Sequence, residues 1–130
     1  SSDLESPARE MYVRMAKAYI RADSLPVAAL PAALGLPAEI HQVRRATLTS
    51  PAVFRVLRSG QPVRNVLVSV RHIDTANQPI SARSDAAGEV AFSLDKSGQW
   101  LISGVIMERA PSGSGIAEWI SYWMSLGFSR

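Results

Sequence analysis

The sequence predicts a mostly β protein, an antiparallel β-sandwich with one N-terminal α-helix packed on the sheet. Three observations predict it. Apolar residues recur at helical spacing through residues 6 to 22 and at every second position in the segments that follow residue 39. Clusters of turn-forming residues punctuate that second region at intervals of roughly ten residues, with no helical pattern between them. Finally, "WLISGVIM" at 100 to 107 is apolar on both faces, so a strand there needs a cover on each side.

In "SPAREMYVRMAKAYIRA", Ser6 is placed to cap a helix and Pro7 to occupy its first position, where a missing N–H costs nothing. Tyr12, Met15, Ala16, Tyr19 and Ile20 then form an apolar stripe opposite Arg14, Lys17 and Arg21. From 23 to 38, three prolines and Gly35 argue for a linker that hugs the surface. Residues 1–38 are thus expected to be a helix and a Pro-rich linker, and 39–130 a sandwich, the two forming one compact unit.

The first strand is expected near Glu39 to Arg44. In "NVLVSVRHI", Val66, Val68 and Val70 fall on one face and Ser69 and Arg71 on the other. In "GEVAFSL", Val90, Phe92 and Leu94 alternate with Ala91 and Ser93. Between strands, "SGQP" at 59 to 62, "TANQP" at 75 to 79, "SDAAG" at 84 to 88 and "DKSG" at 95 to 98 carry turn chemistry. In "EWISYWMSLGF", Ile120, Tyr122, Met124, Leu126 and Phe128 make a core face, and Trp119, Ser121, Trp123, Ser125 and Gly127 the opposite one. A terminal strand is expected, although Trp119, Tyr122, Trp123 and Leu126 also fit a helical spacing. The N-terminal helix is expected to lie over Trp119, Trp123, Leu101 and Val105, the apolar surface left uncovered.

Composition bounds the function. A chain of 130 residues that is 47% hydrophobic can bury roughly two thirds of its unfolded surface without staples. It has no cysteine, which removes disulfides and thiolate metal sites together. Its net charge of +3 rests on arginines scattered from Arg9 to Arg130 with no basic run, so nucleic acid is not an expected partner. No segment reaches the roughly 20 apolar residues of a membrane span, because Pro26, Pro31 and Pro37 interrupt the closest approach. The opening Ser1, Ser2 without methionine is expected of a fragment or a processed product.

Catalytic patterns are missing. No serine lies in a nucleophile elbow, and "SGSG" at 112 to 115 lacks the third glycine of a dinucleotide loop, Glu118 standing there instead. "SDAAG" carries one acid where a calcium loop needs several. Metal ligation has more to recommend it. His72 and Asp74 in "RHID" are two apart, so a strand that persists through them projects an imidazole and a carboxylate to one side; His41 and Glu108 can join them only through the fold. The second candidate surface is the pair Trp119 and Trp123, whose rings can stack on a ligand wherever they are exposed.

"GQPVRNVLVSV", "SARSDAAGEVAFSL" and "SGQWLISGV" together resemble the transthyretin-like, or carboxypeptidase-regulatory-like, sandwich, a prealbumin-like Greek key. With "LGLPAEI" before and "AEWISYWMSLGF" after, the chain is similar to a bacterial family of unknown function labelled as the periplasmic component of a cobalt or nickel ABC-type uptake system. The resemblance covers nearly the whole chain and matches the C-terminal half of a longer member. It implies a periplasmic or secreted, non-enzymatic accessory protein associated with nickel or cobalt uptake, with envelope transport components as partners. Members often carry a histidine near the end of "WLISGVIM", where this sequence has Ile106. The alternative expectation is a structural module that binds a protein or a glycan through an exposed aromatic patch.

Overall fold

The computed structural model describes residues 10–18, 30, 33–75, 77–111, 113 and 118–130. Two sheets enclose one core. The first has the strand order β1 (Glu10–Ala18), β9 (Trp119–Ser129), β8 (Gln99–Arg109), β5 (Leu67–His72), β6 (Ile80–Arg83). In the second, β3 (Ala52–Arg58) is central, with β2 (Ala38–Arg44) on one side and β4 (Gln61–Pro62) and β7 (Glu89–Phe92) on the other. All pairings are antiparallel except β1 with β9, which run parallel.

The N-terminal element corrects the expectation. Glu10–Ala18 is a strand at the edge of the first sheet, and there is no helix among the described residues. "EMYVRMAKA" also reads at period two: Met11, Val13 and Met15 turn half-buried toward the interior, while Tyr12, Arg14 and Ala16 are exposed. Alanine, methionine, lysine and arginine favour helix intrinsically, but the unpaired edge of β9 offers nine consecutive backbone partners, from Trp119 to Gly127. Tertiary pairing thus overrides a weak local preference. Ser6, Pro7, Tyr19, Ile20, Arg21 and most of the proline linker lie outside the described residues.

In the segments around β5 and β7 the alternation holds. Val66, Val68, Val70, Val90, Phe92 and Leu94 are all buried; Ile102, Leu126 and Phe128 of β8 and β9 share the first sheet's inner face with Val68 and Val70, and Val90 and Phe92 belong to the opposite sheet. Phe54 of β3 meets Phe128 of β9 across the core, with ring centroids 4.8 Å apart at 60°. Each such fully buried side chain contributes about 1.5–3 kcal/mol.

The turn segments do two different jobs. "SGQP" and "TANQP" connect neighbours within a sheet, whereas "SDAAG" and "DKSG" carry the chain from one sheet to the other. In the first crossing the Asp85 carboxylate accepts from the Ala87 and Glu89 N–H groups, both at 2.9 Å. Gly88 follows at φ 74°, and a Cβ there would stand 2.8 Å from the Val56 carbonyl oxygen. Only glycine fits. No helix among the described residues is long and apolar enough to cross a membrane.

Candidate functional site

The residues singled out as metal ligands do not come together. His72 continues the inward alternation of Val68 and Val70, so its side chain enters the molecule at 9% exposure. There its Nε2–H donates to the Ser97 carbonyl at 2.9 Å, and the ring meets Trp100 edge-on at 5.0 Å. Its Nδ1 is buried and has no hydrogen-bond partner among the described residues. The strand ends at His72, and Asp74 lies exposed in the turn beyond it, so the shared side that their spacing implied does not form. Glu108 is bound by both ends to Arg58, Oε2 accepting from Nε at 2.6 Å and Oε1 from Nη2 at 3.0 Å. His41 is half-buried on β2 and in register with Arg55 of β3, both in the second sheet, away from His72 and Glu108 in the first. Among the described residues no three His, Asp or Glu side chains are grouped to hold a metal ion.

Two acidic anchors escaped sequence reading. Glu39, 2% exposed, accepts from the backbone N–H groups of Leu34, Gly35 and Leu36 at 2.9 to 3.3 Å and ties the incoming chain to β2. Glu108 ties the sheets together through Arg58, which also donates to Tyr122 Oη at 2.9 Å and to the Pro37 carbonyl at 2.8 Å. The hydrogen bond to Glu108 holds the Arg58 guanidinium above its usual range. Neither acid was distinguishable from a solvated one without knowing which side of its strand faced the interior.

Trp119 and Trp123 lie on the opposite side of the first sheet, and no helix among the described residues covers them. Trp119 is half-buried under Arg109, whose guanidinium carbon is 5.1 Å from the ring centroid. Trp123 is 40% exposed. Its β1 partner in register is Arg14, held 5.4 Å from the indole centroid, and Tyr12 leans on it at 6.3 Å with a 41° tilt. The Glu10 carboxylate accepts from Ser121 Oγ at 2.7 Å. It also hydrogen-bonds the Tyr12 side chain, which raises the phenol's pKa above its ordinary value.

Register converts this cluster into a surface with a grain. Directly cross-strand side chains share a face, so the pairings Ala16 with Ser125, Ser125 with Ser103, Ser103 with Ser69 and Ser69 with Ser81 line up a row of serines across β9, β8, β5 and β6. Ser69 and Ser81 share a hydrogen bond of 2.7 Å, while the Ser103 and Ser125 hydroxyls make none to a described residue. Beside it runs an apolar row in which Trp123 pairs with Val105, followed by Leu67. Between the rows lie two adjoining depressions of about 290 and 340 Å³, which share Ser103, Trp123 and Met124 in their walls. They form one shallow trough running across the strands. Arg14 stands in register with Trp123 at one end, and Arg83 with Leu67 at the other.

The structure is thus a two-sheet β domain with an open, amphipathic outer face on one sheet. The chain belongs to the family described as Domain of unknown function (DUF4198), whose model matches residues 2–108. The match closes within β8, so β9 with Trp119 and Trp123 lies beyond it. No curated protein matches the chain, and no solved structure does.

Proposed function

We propose that this chain is a non-enzymatic binding module of the cell envelope that works through the outer face of its five-stranded sheet. The observation that carries the reading is the trough at Trp123: an indole 40% exposed, with serine hydroxyls along one side and apolar side chains along the other. Monomeric proteins seldom leave such patches without use. The walls contain serines, guanidinium and apolar groups but no imidazole and no carboxylate, so the general acid or base that hydrolytic chemistry needs is missing from them. A periplasmic or secreted location and an association with cobalt or nickel uptake follow from the sequence resemblance. In that setting the chain serves by docking to an envelope component, because His72 and Glu108 are already engaged with Ser97 and Arg58.

Two measurements test this. Co-sedimentation with isolated cell envelopes should retain the wild-type chain and lose Trp123→Ala and Ser103→Glu; equal retention of all three would remove the trough from the account. Calorimetry with nickel and cobalt should show no binding tighter than millimolar, and micromolar binding abolished by His72→Ala would restore the metal reading.

A further inference from the structure

The chemistry of the trough narrows the class of ligand, on the premise that the outer face is the working surface. We infer that it takes an acidic saccharide chain, a polymer of carboxylate-bearing sugar rings, lying across the strands along the serine row.

Three independent features converge on that ligand. First, the two walls differ in kind. Trp123, Val105 and Leu67 offer apolar contact, while Ser125, Ser103 and Ser69 offer hydroxyls at successive strands. A sugar ring has the same division, with an apolar C–H face that lies on an indole and a rim of hydroxyls that exchange hydrogen bonds. An acyl chain lacks the hydroxyl half of it.

Second, the spacing suits an extended polymer. Neighbouring strands are about 4.8 Å apart, so the four serines extend over about 14 Å, and the trough, whose walls run from β1 to β5, over about 14 Å as well. That length holds several linked rings in a row and far exceeds one small metabolite. The Ser103 and Ser125 hydroxyls at its centre, without a hydrogen bond to a described residue, are available to such a ligand.

Third, the charge is one-sided. The described outward positions of the five strands carry Arg14, Arg71, Arg83 and Arg109, all exposed, against a single carboxylate, Glu10, which already accepts from Ser121. The described outward positions of this sheet therefore carry four positive charges against one negative, although the arginines are scattered in sequence. Arg14 and Arg83 stand at the two ends of the apolar row, where they can pair with carboxylates on rings several places apart.

The test is a tryptophan-fluorescence and calorimetric titration of the chain with oligogalacturonate, soluble peptidoglycan glycan strands stripped of their stem peptides, neutral dextran, polyglutamate and single-stranded oligothymidylate. The expected result is binding of one or both acidic saccharides, at least about tenfold tighter than dextran and than either control polyanion, with affinity falling as salt rises. The two acidic saccharides separate a uronic acid polymer from a cell-wall strand as the source. Trp123→Ala should abolish the binding. Ser103→Ala with Ser125→Ala should weaken it by about fivefold for each hydrogen bond lost. Arg14→Gln with Arg83→Gln should flatten the salt dependence while leaving residual binding. Dextran binding as tightly overturns the charge argument, and polyglutamate or oligothymidylate binding as tightly overturns the saccharide. If no saccharide binds while envelope retention still depends on Trp123, the inference fails and the docking reading stands. If Trp123→Ala changes neither retention nor any titration, both fail.

Discussion

At the scale of single residues, close approaches decide more than composition does. Gly98, at φ 117°, exchanges backbone hydrogen bonds with Arg130 at 3.0 and 3.1 Å, and a Cβ on it would stand 2.9 Å from His72 Nε2. Gly98→Ala should therefore cost more than about 1 kcal/mol of stability, measurable by urea denaturation, because alanine meets both a positive φ and the imidazole. Tyr12 supplies a prediction of a different kind. Hydrogen bonding to Glu10, reinforced by the repulsion between the carboxylate and a phenolate, favours the neutral phenol in the folded chain. A group whose folded pKa lies above its unfolded one stabilises below the unfolded pKa and loses that contribution as pH rises through the folded one. Carbon-13 NMR titration of labelled tyrosine should show Tyr12 ionising above the ordinary value of about 10, and Glu10→Gln should return it toward that value. None of this was visible in sequence: His72 looked like a strand-end ligand because the turn immediately after it was not foreseen.

At the scale of elements, what was legible was whatever depended on local alternation. The inward sets Val66, Val68, Val70 and Ile120, Tyr122, Met124, Leu126, Phe128 read correctly from spacing alone, since period two in a half-buried strand needs no partner to be recognised. Failure came at β1, whose state depends on a partner more than a hundred residues away in sequence. Its short run of nine residues fits both periods, and only the edge of β9 chooses between them. The strand makes a prediction that a helix would not. Val13→Ser should destabilise by about 1 kcal/mol or more, because Val13 packs against the core. Tyr12→Ser should stay within about 0.5 kcal/mol, since Tyr12 is exposed. In the helical reading the roles reverse, because Tyr12 belongs to the apolar stripe. The same long-range pairing explains why the trough was unreadable: serines at 69, 81, 103 and 125 are unremarkable until register places them side by side.

At the scale of the whole molecule, two sheets are joined by an apolar core and by a polar bridge. Arg58 of β3 reaches Glu108 of β8 and Tyr122 of β9, and its guanidinium carbon lies 4.3 Å from the Tyr122 ring centroid. Both ionic partners keep part of their surface in water, so the bridge adds less than a buried pair would, but removing one side strands the other. Arg58→Met and Glu108→Met should each destabilise by about 1–3 kcal/mol, and the double variant by less than the sum; strict additivity would show the bridge to be inert.

With the interior committed to holding the sheets together, the outer face of the first sheet is the part of the described structure with chemistry left over. The decisive measurement is amide-shift mapping on nitrogen-15-labelled protein during titration with soluble envelope saccharides and, separately, with nickel. Shifts concentrated at residues 14–16, 67–69, 103–105 and 123–125 under saccharide, with none under nickel, are the expected result. Shifts confined to His41, His72 and their neighbours under nickel, with the Trp123 face unmoved by any saccharide, would contradict it.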